Sequence, residues 1–340
     1  MTSMRVSVLN GPRDVALVER PVPRPGPGEV LVEVASVGVC GSDTHYYDHG
    51  RIGSYVVEQP LVLGHEAAGR ITEVGPGVAA DRVGQRVSIE PGVPDFICEQ
   101  CLAGRYNLCP RMQFFATPPI DGAFAEYVLV HAAFAHPVPD VIGDDAAALL
   151  EPLSVGIWAC RKGGVTAGSR VLVTGAGPIG LVATQTALAF GATEVTVSDV
   201  NHTRLALAKE VGATAVVDPR ERDITRLDRP PQILLECSGH PAATNAAIRA
   251  LDRAGRAVLV GMGGDEIPLP LSVVQERELE VTGTFRYANT WPTAIALVAS
   301  GRVDVDRLVT GSYPLERAEA ALTAARSDPA SVKVVVRPRT

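Results

Sequence analysis

The sequence lacks the roughly 20-residue apolar run that a membrane-spanning helix needs, and no long block of basic residues interrupts it. The first absence argues against a membrane protein. The second, with a formal net charge of -7 spread along the chain, argues against a nucleic-acid partner. The opening segment MTSMRVSVLNGPRD has no apolar core of the kind a secretory leader carries, so a cytoplasmic protein is expected. Aromatic residues make up only 5%, yet 46% of residues are apolar and 20% charged, which excludes a disordered chain and leaves ample material for a core. No internal repeat or low-complexity segment is present. There are only six cysteines in 340 residues: Cys98, Cys101 and Cys109 lie close together, while Cys40, Cys160 and Cys237 are scattered. In a reducing compartment such a cluster points to metal before disulfides. The scattered Cys160 and Cys237 read as buried structural thiols, and His49, His131, His136, His202 and His240 have no ligand spacing.

At this length two domains are expected. Up to about residue 150, glycines and prolines separate short β-branched runs (VLVEVASVGV, GRITEVGPGV, GQRVSIEPG, GAFAEYVLV), an all-β rhythm. The texture then changes. An amphipathic stretch, LSVGIWACRKGG, leads into alternating strand and helix signals: RVLVTGAGPIG, EVTVSD, TAVVD, QILLECSG and RAVLVGM, with a helix over about 201–211 that stops at Gly212. A helix-rich tail follows from about Thr284 and ends in one late strand, VKVVVRP. The expected class is therefore α/β: a β-rich domain over 1–151, a nucleotide-binding parallel sheet over 152–284, and a tail over 285–340 that returns to the first domain.

Gly175, Gly177 and Gly180 form G-x-G-x-x-G between the strand VLVT and a helix, with Pro178 and Ile179 between the last two glycines. In that position the first glycine permits a tight turn, the second lets the backbone approach a pyrophosphate, and the third allows close helix packing. The helix N-terminus offers free N–H groups to the phosphates. Asp199, at the end of the next strand, falls near the position of an acid that binds a ribose 2′-hydroxyl. It would repel a 2′-phosphate and so favours NAD, although Arg204 on the following helix pulls the other way.

In the first domain, Cys40-Gly-Ser-Asp-Thr-His-Tyr46 and Gly64-His65-Glu66 supply a thiolate, an imidazole and a carboxylate, a sensible zinc set. From these segments alone, a core cysteine and an exposed turn remain equally good readings. The segments CGSDTHYY, GHEAAG, FFATPPIDGAFAEY, EPLSVG and TGTFRYANTWP, in this order along nearly the whole chain, resemble the zinc-dependent medium-chain dehydrogenase/reductase family, and within it the polyol dehydrogenases. The resemblance implies a GroES-like β domain around a Rossmann domain, with zinc and NAD as cofactors. It implies oxidation of a secondary alcohol on a small polyol such as sorbitol or xylitol, and assembly into homo-oligomers, dimers or tetramers.

Carried over residue by residue, the resemblance places Cys40, His65 and Glu66 on the zinc, with Glu151 of EPLSVG beside it. A thiolate and one carboxylate already neutralise Zn²⁺, so a second direct carboxylate would leave the site anionic and a poorer Lewis acid; Glu151 is therefore expected outside the direct ligands. Asp43 is a candidate to orient His65. Ser42 and His45 match positions that pass the alcohol proton to solvent. Tyr46, Phe114 or Phe115, Arg286 and Tyr287 match positions lining a polyol cleft, where Arg286 and Tyr287 can donate hydrogen bonds to several hydroxyls.

The segment from Asp95 to Cys109 resembles the structural-zinc lobe of the family, with Asp95, Cys98, Cys101 and Cys109 separated by two, two and seven residues. Aspartate stands where the family pattern has a fourth cysteine. Four ligands in this register would close a tetrahedral site, and a bound structural zinc is the expectation. Competing readings are a threonine or simple-alcohol dehydrogenase of the same family, which would not need FRYANTWP, and a non-catalytic dinucleotide-binding protein, which would lack at least one of Cys40, His65 and Glu66.

Overall fold

The computed structural model describes residues 3–264 and 266–339. The chain forms two compact units, residues 1–151 with 305–340 and residues 152–304. The return to the first unit thus falls at Val305, and residues 285–304, expected with the tail, group with the second unit. The segment is tied to that unit by hydrogen bonds: Arg161 donates to the Asn289 carbonyl and the Thr293 hydroxyl, and the Gln185 amide both donates to and accepts from the Asp304 main chain.

In the first unit β1 (Ser3–Gly11) and β2 (Asp14–Pro21) form a hairpin, and β3 (Glu29–Gly38) begins the main sheet. Helix α1 (Gly41–His49) follows β3 directly, and Gly50 in the left-handed region ends it. β4 (Glu66–Val74), β5 (Arg86–Ile89), β6 (Tyr127–His131) and β7 (Ala135–Pro137) complete the first pass. β3 pairs antiparallel with β4 along most of its length, and β6 covers its N-terminal half from the other edge. The valines at 30, 32, 34 and 37 are fully buried, as expected of a strand covered on its core face.

The second unit is a six-stranded, wholly parallel sheet. Helix α2 (Leu150–Gly163) precedes β8 (Arg170–Thr174); then come α3 (Pro178–Ala189), β9 (Glu194–Ser198), α4 (His202–Glu210), β10 (Ala215–Val217), β11 (Ile233–Glu236), α5 (Pro241–Ala250), β12 (Arg256–Leu259) and β13 (Glu280–Gly283). The strand order is β10-β9-β8-β11-β12-β13, the doubly wound order that reverses between β8 and β11 and opens a crevice at the strand C-termini. Helix α6 (Trp291–Ala299) closes the unit. The β8 side chains Val171, Leu172 and Val173 are buried, which accounts for the continuous apolar run VLV.

Back in the first unit, β14 (Val309–Pro314) and β15 (Lys333–Arg337) flank helix α7 (Ala318–Ser327). β14 and β15 are parallel, and β15 pairs antiparallel with the C-terminal end of β3 through Val335 with Gly38 and Val336 with Val37. The last strand of the chain therefore lies beside the residues leading into Cys40. Among the described residues no helix is long and apolar enough to cross a membrane.

Leu172 is fully buried at the centre of the parallel sheet. Leu172→Ala should destabilise the second unit by about 2–5 kcal/mol, read as a lower urea midpoint with an unchanged slope.

Candidate functional site

In the first unit the loop between β3 and α1 and the start of β4 bring together Cys40, His65 and Glu66, whose ligand atoms all lie within 4.8 Å of one another. Gly64 makes this approach possible. Its φ is +87°, and a Cβ there would stand 2.6 Å from Phe124. Asp43, fully buried in the first turn of α1, ties the two segments: its carboxylate accepts from Cys40 N–H at 2.9 Å and from Gly64 N–H at 2.9 Å. The same carboxylate faces His65 Nδ1 at 3.6 Å, the side of the ring opposite Nε2. Burial works against the charge on both groups, but their mutual attraction leaves Asp43 below the ordinary carboxylate range and, with Cys40 adding to it, His65 well above the ordinary histidine value. Phe114 packs against the imidazole with ring centroids 5.7 Å apart. Phe115 instead joins the first unit's core, as does Tyr46. Ser42 is half-buried on α1 and His45 is exposed, its ring edge against His49.

The sequence pattern did not single out Lys333. Its side chain, at the start of β15, is 3% exposed, and its ammonium donates to both oxygens of Glu66 at 2.7 and 2.8 Å and to the Val39 carbonyl at 2.8 Å. Burial favours loss of its proton, but Glu66, Cys40 and Glu151 act together to raise its pKa above the ordinary lysine value. Gly38 completes the seat, because a Cβ there would lie 2.0 Å from Glu66 Oε2. Glu151 is also buried. With zinc bound, the charges of Zn²⁺ and Lys333 would offset those of Cys40, Glu66 and Glu151, while Asp43 faces the His65 ring. The second carboxylate is thus compensated by a lysine that the charge argument from sequence did not contain. The thiolate, imidazole and carboxylate set fits zinc.

In the lobe, Asp95, Cys98, Cys101 and Cys109 also bring ligand atoms within 4.8 Å of one another. Asp95 Oδ1 accepts from Ile97 N–H at 3.0 Å and Cys98 N–H at 2.9 Å, and its other oxygen pairs with Arg111 at 2.5 Å. Chiefly through the Cys98 N–H bond, these contacts hold the carboxyl far below its usual range, whereas burial, with the neighbouring sulfurs and carboxylate, pushes the Cys101 thiol up to about 12. A cation held among these four groups would have to displace that proton, so its uptake would be coupled to proton release.

In the second unit the glycine fingerprint folds as its spacing requires. Gly175 has φ of +86°, and its α-carbon faces Ser238 so closely that a Cβ would stand 3.0 Å away. A Cβ on Gly180 would lie 1.7 Å from the Gly175 carbonyl, whereas one on Gly177 would meet nothing within 4 Å, leaving that backbone open to a ligand. Pro178 starts α3, and Ile179 follows it. Asp199 accepts from Ala176 N–H at 2.6 Å and Asn201 N–H at 2.8 Å, so the acid at the end of β9 also braces the glycine turn. Together with Thr174, Gly175, Val200, Ser238 and other residues it lines a cavity of about 370 Å³. Glu236, which the sequence reading passed over, is 2% exposed at the end of β11. Its Oε1 accepts from Thr174 Oγ at 3.2 Å, Ser238 N–H at 2.9 Å and Gly239 N–H at 3.1 Å, joining the ends of β8 and β11. Arg286, with φ of +53°, stacks on Phe285, and the buried Tyr287 packs on Trp291; both belong to the second unit.

Residues 26–140 match the alcohol dehydrogenase GroES-like domain and residues 178–300 match the zinc-binding dehydrogenase domain. The chain is 47% identical to the sorbitol dehydrogenase of Rattus norvegicus over 94% of its own length and 92% of that protein's. The chain belongs to the zinc-dependent medium-chain dehydrogenase/reductase family. Among solved structures, this dehydrogenase superposes on the L-idonate 5-dehydrogenase of Escherichia coli with a TM-score of 0.93 at 31% identity, covering 99% of this chain and 98% of that one. It superposes on a zinc-binding dehydrogenase of Sinorhizobium meliloti bound to NADP with a TM-score of 0.91 at 33% identity, covering 99% of this chain and all of the other. The dehydrogenase is an oxidoreductase acting on CH–OH groups, and zinc and a nicotinamide dinucleotide are its cofactors.

Lys333→Met would leave Glu66 buried without its cation. It should destabilise the zinc-free protein by about 3–5 kcal/mol in urea unfolding, and added zinc should restore part of the loss because it returns a positive charge to the same carboxylate. In the zinc-free protein the raised His65 pKa contributes stability fully below the ordinary histidine value, and that contribution is lost as pH rises through the raised value. Zinc binding runs in the opposite sense, since His65 must shed its proton to ligate. Zinc affinity should therefore climb with pH across the neutral range with uptake of zinc coupled to proton release, measurable by calorimetry in buffers of different ionisation enthalpy.

Proposed function

We propose that this protein is an NAD-linked polyol 2-dehydrogenase, oxidising a secondary alcohol of a small polyol such as sorbitol or xylitol to a ketone. The observation that carries the chemistry is the convergence of Cys40, His65 and Glu66 on a buried, charge-compensated seat. The substrate class is supported by the 47% identity with a sorbitol dehydrogenase, and by Arg286 and Tyr287, whose donors suit several hydroxyls. When bound, zinc supplies a Lewis acid for the alcohol oxygen and the dinucleotide supplies a hydride acceptor.

The chain's own residues do the rest. Asp43 fixes the loop carrying Cys40 and holds the imidazole of His65 in place. Ser42 and His45, half-buried and exposed on α1, carry the alcohol proton outward. Phe114 shields His65 from water, with Phe115 and Tyr46 behind it in the core. Glu151 stays outside the direct ligands. Asp95, Cys98, Cys101 and Cys109 hold a structural zinc. Asp199 accepts from the ribose hydroxyls and repels a 2′-phosphate, with Arg204 beside it, so NAD is the working cofactor. The two domains are the discontinuous first unit and the second unit, and the protein works in the cytoplasm. Assembly into a homo-oligomer is supported by the edge strand β13, which has no partner on its outer side among the described residues.

NADH formation should occur with sorbitol, xylitol or galactitol as substrate and should be abolished by a strong zinc chelator. Turnover confined to threonine, ethanol or L-idonate in the same assay would overturn the polyol reading.

A further inference from the structure

The ribose end of the dinucleotide cavity holds a second carboxylate beyond Asp199. β9 and β10 lie side by side, Ser198 opposite Val217, so the residues that follow each strand, Asp199 and Asp218, leave the sheet at the same edge. The Asp218 side chain is 2% exposed. Arg220 Nε donates to its two oxygens at 2.9 and 3.1 Å, Nη2 donates at 2.5 Å, and the Arg220 main-chain N–H donates at 2.9 Å. Nη2 also donates at 2.6 Å to the carbonyl of Val200, the residue after Asp199. The guanidinium is thus anchored next to the acid that faces the ribose, and Arg220 and Asp199 interact electrostatically. Val200 and Pro219, the neighbours of these anchors, line the same cavity as Asp199. Close by in sequence, Arg204 on α4 has a buried Nε without a hydrogen-bond partner, and His202 Nε2 lies 3.6 Å from Asp218.

A 2′-phosphate is recognised by an arginine fork whose N–H groups are free to pair with it. Here Arg220, which interacts with Asp199, already spends its Nε and Nη2 donors on Asp218 and the Val200 carbonyl. We propose that Asp218 is a second specificity-determining residue for the dinucleotide: it occupies Arg220 and withholds that guanidinium from a 2′-phosphate, while Asp199 repels the phosphate directly. The inference rests on the reading of this cavity as the dinucleotide site. On it, selection against NADP has two layers, and removal of Asp199 alone opens space without releasing the Arg220 fork.

The test is fluorescence titration of NADH and NADPH against the zinc-loaded protein and its variants, each also checked by thermal melting. Asp199→Ser should tighten NADPH binding only a few-fold. Asp199→Ser with Asp218→Asn should tighten it by about a further tenfold, and adding Arg220→Gln to that pair should remove the second gain. A double variant that binds NADPH no better than Asp199→Ser, or a gain that survives Arg220→Gln, overturns the proposal. Because Asp218 is buried, Arg220→Gln in the Asp199→Ser background gives an independent reading. NADPH affinity there should stay within about twofold, since a fork turned to Asp218 has little to lose; a larger loss would mean that Arg220 was available all along. Failure of the unaltered protein to bind either dinucleotide would overturn the cavity assignment itself, an outcome distinct from NADH binding without the second gain.

Discussion

The buried contact between Lys333 and Glu66 is the constraint around which the first unit is arranged. A carboxylate taken out of water without a counter-charge is too costly to persist in its ionised form. The fold meets that demand by bringing the final strand of the chain against the end of the third, so that Lys333 reaches Glu66 and the Val39 carbonyl together. Gly38 leaves the room the carboxylate needs, and Gly64 turns the chain so that His65 and Glu66 point into the same seat. Asp43 then joins the two ligand-bearing segments through backbone N–H groups. Each of these features makes sense only when the others are present.

The second unit solves a related problem with backbone in place of charge. Its ligand-facing edge is built where strand ends approach too closely for side chains. Gly175 sits against Ser238, and Gly239 against Met262 and Gly263. Buried Glu236, with N–H and O–H donors for partners, fixes the turn that follows β11 against the end of β8. One unit thus brings together soft and charged groups, the other a glycine-lined backbone edge braced by two carboxylates. That division matches the different needs of a metal ion and a pyrophosphate.

Much of this was legible in the sequence because it depends on local order. The glycine fingerprint, the strands on either side of it and the acid at Asp199 are consecutive and periodic, and the short helix over His202–Glu210 ends where Gly212 indicated. The clustering of the thiolate, imidazole and carboxylate set, and of Asp95, Cys98, Cys101 and Cys109 in the lobe, was legible through spacing and resemblance. Lys333 was not, because its partner lies far away along the chain and a lysine opening a valine-rich strand reads as a solvated end. The charge count made from sequence therefore lacked one positive group. Glu236 was hidden for a similar reason, as its donors, two main-chain N–H groups and two hydroxyls, carry no signature. Residues 285–304 carry helix signals like those of the tail, and their place in the second unit rests on distant partners, Arg161 and Gln185, that no local pattern reveals.

The discontinuity of the first unit has a consequence for how the protein is made. The second unit is continuous in sequence, so a growing chain on the ribosome carries all of it before Val305 is translated. The first unit at that moment has Cys40, His65 and Glu66 but neither β14 nor β15, and its lysine has yet to be synthesised. Because domains generally fold as units during synthesis, the nicotinamide-binding half can mature early, while the metal-holding half waits for β14 and β15 to be made. Nascent chains arrested before residue 333 would bear Cys40, His65 and Glu66 with the buried carboxylate uncompensated.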